Sequence, residues 1–346
     1  MIDQNSAPIS SPAAAPAATP DPAQTRQVKE LKHTAPLFSC RFDPTGRFAV
    51  AGAQGNVVAR WELATDKKTD MTGHESWVRA VAFSPRGDRL FTGDYAGRVT
   101  CWSYASEPPA PLWTVDAHRG WVRSAAVSAD GDVLATAGND GLVRLFTTER
   151  GTPVREMAGH DCHVYAVAFH PLGPHLVSAD LRGRVKHWDA TSGQMIRDLN
   201  AAELFKYDGQ FRADIGGARG MSFSPDGRFL ACSGITEVTN AFAGVGKPLV
   251  ILFDWYTGQR KQMLQPTDAF QGVAWGVSFH PAGFIVAVGG GGGGGILWFW
   301  RPDRPQSFHS LKLPNTAYDL ALHPNGLQLA TAHFDGALRL HDMTAK

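Results

Sequence analysis

Short apolar strands recur along this chain in pairs. Each pair is joined by a polar turn, Pro-x-Gly in six of seven copies and Ala-x-Gly in the third, and the second strand ends on Ala or Val followed by a small residue. The copies are Phe42-Asp43-Pro44-Thr45-Gly46, Phe83-Ser84-Pro85-Arg86-Gly87, Val127-Ser128-Ala129-Asp130-Gly131, Phe169-His170-Pro171-Leu172-Gly173, Phe223-Ser224-Pro225-Asp226-Gly227, Phe279-His280-Pro281-Ala282-Gly283 and Leu322-His323-Pro324-Asn325-Gly326. Proline presets φ at the first corner of a tight turn and glycine tolerates the positive φ that follows, so each copy predicts a hairpin.

The turn glycines lie 41, 44, 42, 54, 56 and 43 residues apart, a period that suits four short strands per unit. The two long intervals predict insertions, one over Asn200 to Gly217 and one over Ser233 to Lys247 (near 233–248). In the first, Asn200-Ala-Ala-Glu203 has the spacing of a helix-capping box. At 346 residues the chain exceeds the size at which one compact core stops growing. A circular array escapes that limit because each unit packs only on its neighbours. Closure is also written in the sequence. Gln27-Val28-Lys29-Glu30-Leu31-Lys32-His33 has the apolar spacing of Pro153 to His160, the segment that precedes the fourth repeat. It is a fourth-type strand without a unit of its own. The seventh copy ends after its third strand, so pairing the two removes two exposed sheet edges.

Charge and composition narrow the function classes. With 33 basic and 32 acidic residues the net charge is +1, so no global field draws the protein to nucleic acid or an anionic membrane. The start of the chain lacks the basic and apolar segments of a secretory signal, and no apolar stretch is long enough to span a bilayer, which points to a cytoplasmic protein without membrane contact. Cys40, Cys101, Cys162 and Cys232 have no CxxC spacing and read as reduced structural thiols. Residues 1–25 are rich in Ala, Pro and Ser and predict a disordered tail, leaving 26–346 as one domain.

The repeats resemble the tryptophan-aspartate (WD) repeat β-propellers over roughly residues 26 to 343. The opening Gly-His of that family appears as Gly73-His74 and Gly159-His160, with Ala117-His118 as a variant. The closing Trp-Asp appears as Trp188-Asp189, with variants Trp61-Glu62, Phe253-Asp254 and His341-Asp342. The resemblance implies an all-β fold, a seven-bladed propeller of four-stranded antiparallel blades closed by the N-terminal strand. It also implies a buried tetrad of His, Ser/Thr, Asp and Trp in each blade. The chain keeps this unevenly: His74, Thr92 and Trp102 with Ala96 for Asp; His118, Thr136 and Asp140 with Phe146 for Trp; His160, Ser178 and Trp188 with Arg182 for Asp. On this reading no blade has a complete tetrad, and packing carries most of the stability.

In the family the loops before the first strand and between the second and third lie on the top face, and both insertions map there. Aligning the first strands yields one position per repeat, Phe38, Arg79, Arg123, Tyr165, Arg219, Trp275 and Tyr318, which on a propeller circles the top mouth of the central channel. Trp77, Trp121 and His163 lie two positions earlier. Arg, Tyr and Trp dominate interface hot spots, so the ring suits a protein or peptide partner that is acidic or phosphorylated. The same residues read as channel filler if Asp94 and Asp180 pair with the arginines.

An enzyme needs converging acids, bases or a nucleophile, which the ring does not offer. Binding of single-stranded nucleic acid, which uses Arg with stacking aromatics, conflicts with the near-neutral charge. The glycine run 289–295 is followed by the strand sequence Ile296-Leu297-Trp298-Phe299-Trp300 rather than a phosphate-binding helix, and reads as a hairpin tip. His160-Asp161-Cys162-His163 lacks the further ligands of a metal site, so neither metal nor cofactor is expected. The sequence thus predicts a non-catalytic interaction scaffold.

Overall fold

The computed structural model describes residues 18–240 and 245–345. They form seven four-stranded antiparallel sheets, the blades of a seven-bladed β-propeller. Blade 1 comprises Leu37–Phe42, Phe48–Ala53, Val57–Glu62 and Lys68–Thr72. Blades 2 to 6 occupy 78–116, 122–157, 164–200, 220–264 and 273–313. Blade 7 takes three strands from 317–342 and its outer strand, Arg26–Lys32, from the start of the chain.

Burial follows from this stacking. Second strands such as Phe48–Ala53 and Leu90–Asp94 are sandwiched between neighbouring blades and are buried throughout. Outer strands such as Ala110–Asp116 form the rim and are mostly exposed, with Trp113 and Val115 half-buried. The core runs as clusters across blade boundaries. Leu31, Leu37, Trp61, Leu338 and Leu340 share one such cluster, so the closing strand is welded to blades 7 and 1 by apolar burial as well as by its ladder.

The Pro-x-Gly turns gather on the opposite side from the top face. Six of the seven turn glycines, all but Gly173, have φ between +68° and +87°. Three turns carry His before Pro, and each histidine latches two blades. The Nε2–H of His170 donates to Gly227 O (3.0 Å), that of His280 to Gly326 O (2.8 Å), and that of His323 to Gly46 O (3.2 Å). Each Nδ1 accepts a backbone N–H two residues on, which fixes the neutral tautomer. The third latch spans the closure.

Two tetrads are complete, contrary to the sequence reading. His74 Nδ1–H donates to Asp94 (2.8 Å), its Nε2 accepts from Thr92 (2.7 Å), and Trp102 Nε1–H donates to Thr92 (2.7 Å). His160, Asp180, Ser178 and Trp188 repeat the arrangement at 2.7, 2.7 and 2.8 Å. Asp94 and Asp180 end the second strand, two residues before the positions Ala96 and Arg182 where an aspartate was sought. In blade 3, Gly138 occupies that strand-end position, where a Cβ would stand 2.4 Å from His118 Nδ1, and Asp140 bonds the histidine instead (2.8 Å). Blade 3 has Phe146 at the Trp position and lacks the final link.

Three further segments depart from expectation. The chain is ordered before residue 26: Asp21 N–H donates to Met343 O (2.7 Å), Pro22–Gln24 is a 3-10 turn, and Pro22 and Thr25 are buried, while residues 1–17 lie outside the described residues. The first insertion makes only the 3-10 turn Ala202–Leu204, because Glu203 pairs with Arg260 rather than reaching back to cap; a separate hairpin, Phe205–Asp208 with Ala213–Gly216, follows. The second insertion is an extension of a blade hairpin, Phe229–Asn240 with Val245–Asp254, rather than a loop. The glycine run is a hairpin end with Gly289 paired to Ile296, squeezed so closely that a Cβ on Gly295 would lie 2.0 Å from Asn315 O. Among the described residues no helix is long and apolar enough to cross a membrane.

Candidate functional site

The aligned position falls on a backbone irregularity. In six blades the ladder between first and second strands shifts register at Phe38, Arg79, Arg123, Tyr165, Trp275 and Tyr318. A β-bulge leaves one residue unpaired and re-aims its side chain, here into the channel mouth. In blade 5 the equivalent Arg219 directly precedes Gly220–Phe223 and its N–H donates to Ser233 O (2.7 Å). All seven side chains, joined by Tyr95, line one cavity of about 170 Å³.

Their contacts form a closed circuit. Phe38 meets Trp77 (5.7 Å between centroids), Trp77 meets Tyr95 (5.8 Å), and Tyr95 stacks parallel on Trp121 (3.9 Å, 3°). Arg123 lies 4.2 Å from the Trp121 centroid and 4.5 Å from that of Tyr165; Arg219 lies 4.3 Å from Tyr165 and 5.2 Å from Trp275. Trp275 meets Tyr318 (5.2 Å) and Tyr318 returns to Phe38 (5.7 Å). Each contact of this kind is worth roughly 0.5–1.5 kcal/mol, and a closed set fixes every member's orientation.

Trp77 and Trp121 do not line the cavity; they stand above it, 39% and 37% exposed. His163 braces the site from outside: its Nδ1–H donates to Asn139 O (2.6 Å), and the Asn139 side chain accepts from Arg123 Nε (2.7 Å). Tyr95, Asn139 and the exposed Phe334 escaped the sequence reading. They share a signal that could have found them, the residue just after the end of the second strand. There Tyr95, Asn139, Leu181 and Phe334 each donate a backbone N–H to the top connection of their own blade.

The arginines are not neutralised by Asp94 and Asp180, which are held in tetrads. Among the described residues Arg79, Arg123 and Arg219 form no ion pair, and Arg219 Nε is buried without a hydrogen-bond partner. Burial, reinforced by Arg79 and Arg219, pushes Arg123 down to about 10 despite the neighbouring phenols, so it stays charged at neutral pH. Burial lowers Arg219 and raises Tyr318. Below the ring the channel opens to about 380 Å³. The next residue of each inner strand is small (Ser39, Ala80, Ser124, Ala166, Gly220, Gly276), except Asp319, which accepts from Arg41 (2.6 Å) and Cys40 N–H (3.1 Å).

Both insertions reach the site. Ile235 and Val238 of the extended hairpin and Val273 form a buried cluster against which Ile215 and Trp275 pack. Lys206 donates to Val238 O (2.5 Å), tying one insertion to the other. No group of three or more metal-ligating side chains occurs among the described residues. His160 is engaged in its tetrad and His163 with Asn139. The mouth thus presents guanidinium donors beside flat aromatic faces.

Comparison with known proteins agrees with the geometry. The WD domain, G-beta repeat family matches residues 65–103, 109–147 and 151–189, each running from the outer strand of one blade through the third strand of the next. Similar proteins include transcription initiation factor TFIID subunit 5 of Caenorhabditis elegans, 27% identical over 60% of this chain and 30% of its own length. Nuclear distribution protein nudF of Aspergillus niger is 25% identical over 45% of this chain and 30% of its own. The chromatin assembly factor 1 subunit FAS2 homolog of Oryza sativa subsp. japonica is 25% identical over 59% and 48%. The chain thus spans about a third to a half of these relatives. Seven blades in a closed ring, two complete His-Asp-Ser/Thr-Trp networks and three matching repeats together support a WD-repeat β-propeller.

Proposed function

We propose that the protein is a non-catalytic interaction scaffold whose top face and channel mouth hold an extended, anionic segment of a protein partner. The observation that carries this reading is the closed aromatic and guanidinium circuit with Trp77 and Trp121 exposed above it. Apolar side chains of such a segment lie against the exposed tryptophans, and its acidic group reaches the arginines. Rigid aromatics lose little entropy on binding, and guanidiniums bring directed donors. The names of the relatives, subunits of transcription and chromatin-assembly factors, support a role inside assemblies. Four free thiols, three of them buried, suit a reducing compartment, and the cytoplasm is the proposed location.

Affinity purification tests the face. Partners captured by the wild type are expected to be lost with Trp77→Ala plus Trp121→Ala and kept with Tyr256→Ala, an exposed residue outside the mouth. Retention by the tryptophan double variant overturns the reading.

A further inference from the structure

We propose that Arg79, Arg123 and Arg219, which line one cavity with Tyr165, form a subsite for a doubly charged phosphoryl group carried on the bound segment. This deepens the top-face reading and rests on it.

The first argument is charge. Four arginines, Arg41, Arg79, Arg123 and Arg219, line the mouth and upper channel against one carboxylate, Asp319. Asp319 is committed to Arg41, which leaves three cations uncompensated within one cavity of a protein whose net charge is only +1. Like charges held together in a partly desolvated mouth cost free energy that an entering anion returns.

The second argument is preorganisation. Arg123 is clamped between Trp121 and Tyr165 and bonded to Asn139, and Arg219 is clamped between Tyr165 and Trp275. Their forks are fixed before any ligand arrives, and Arg219 Nε is a buried donor with no acceptor. Stacking orients guanidiniums without consuming their N–H groups.

The third argument is stoichiometry. A carboxylate brings one charge and two oxygens, whereas a phosphate monoester brings nearly two charges and three terminal oxygens, one for each guanidinium. The small residues beneath the ring leave depth for a group projecting from above. The exposed tryptophans at the rim favour a single side chain on a segment over a broad surface.

Calorimetry on the full chain tests this with phenyl phosphate, benzoate, inorganic phosphate and a degenerate mixture of seven-residue peptides fixed only at a central phosphoserine. Phenyl phosphate is expected to bind at least tenfold more tightly than benzoate. It should weaken about fourfold from pH 7.5 to 5.5 as the phosphate loses its second charge, whose pKa is about 6, while benzoate changes little. Arg79→Gln should cost about tenfold in phosphate affinity with an unchanged thermal melt, because among the described residues Arg79 makes no ring stack or hydrogen bond; Arg219→Gln should cost a similar factor and also lower the melt, since it removes two ring stacks. The phosphopeptide mixture should bind at least tenfold more tightly than inorganic phosphate, and Trp77→Ala should shrink that excess by a larger factor than it weakens phenyl phosphate.

Equal affinity for phenyl phosphate and benzoate, or indifference to both arginine variants, overturns the subsite and leaves the top-face reading standing. Inorganic phosphate binding as tightly as the phosphopeptides overturns the segment-borne source. Phosphate binding with no peptide excess and no effect of Trp77→Ala counts instead against the top-face reading.

Discussion

Blades 2 to 4 and blades 1, 5 and 6 solve the same packing problem by opposite means. In the register of the ladders, the tetrad positions of blades 2 and 4 hold Thr92 and Asp94, and Ser178 and Asp180. The same positions hold Ala51 and Ala53 in blade 1, Cys232 and Gly234 in blade 5, and Ala287 and Gly289 in blade 6. The hydroxyl and the carboxylate are lost together, and the third strand carries a large ring, Trp61, Phe253 or Trp300; blade 1 keeps a histidine, His33, whose buried Nδ1 has no hydrogen-bond partner among the described residues. A half-kept network leaves a buried donor or acceptor unpaired, at about 1–3 kcal/mol, whereas an all-apolar site leaves none. The family matches cover the third strands of blades 2 to 4 only, the polar half of the ring.

Blade 7 is a third solution. His333 stands at the aspartate position and His341 at the tryptophan position. The Thr331 hydroxyl donates to His333 Nε2 (2.7 Å) and accepts from His341 Nε2–H (3.0 Å), and His333 Nδ1–H donates to Asn315 O (2.9 Å). The hydrogen-bond chain is rebuilt from histidines without a carboxylate.

The contrast can be broken at three points. In an apolar blade, Trp300→Ala should cost the most, about 3–5 kcal/mol, since it empties a fully buried site and removes the bond to Gln265 O; urea unfolding measures it. In a polar blade, Asp180→Ala should cost about 3 kcal/mol by stranding His160 and the N–H groups of Arg182 and Arg184. Adding His160→Leu should recover at least about 1 kcal/mol of that sum, as blades that lost all members at once imply; strict additivity in the double variant would refute the all-or-none account.

A further contrast is acid sensitivity, which acts gradually with pH. Burial lowers His333 to about 4 and His341 to about 3. Between blades 4 and 5, burial together with Arg197, His175 and His170 lowers His187 to about 4. These groups stay neutral in the fold while the unfolded chain takes up protons near pH 6.5, so stability is lost as pH falls from about 6.5 towards 4. The slope is at most about 1.4 kcal/mol per pH unit for each histidine. His341→Phe should flatten the pH dependence measured by thermal melts, and an unchanged slope would place the acid sensitivity elsewhere.

How much of this was legible depended on which contacts are periodic. The turns, the closing strand and the channel ring recur at fixed offsets, and Phe38, Arg79, Arg123, Tyr165, Arg219, Trp275 and Tyr318 aligned correctly without coordinates. Asp94 and Asp180 were misassigned because two backbone positions can deliver a carboxylate to the same imidazole, and only the space beside it tells them apart; Gly138 is the counterexample that shows the choice. The shapes of the insertions were not legible, since Asn200 to Glu203 obeys a helix-capping spacing whose glutamate found Arg260 instead.

The sequence by itself determined the number of blades, the mode of closure and the residue types at the mouth, because each is written in local turn chemistry repeated seven times. Only the tertiary structure decided which polar groups meet. The bulges turn Arg79 and Arg123 into the cavity that Arg219 also lines, the carboxylates that could have neutralised them are held by histidines, and Tyr95 and Asn139 arrive from a neighbouring strand. Those pairings are set by distances across strands and blades, to which a one-dimensional period is blind.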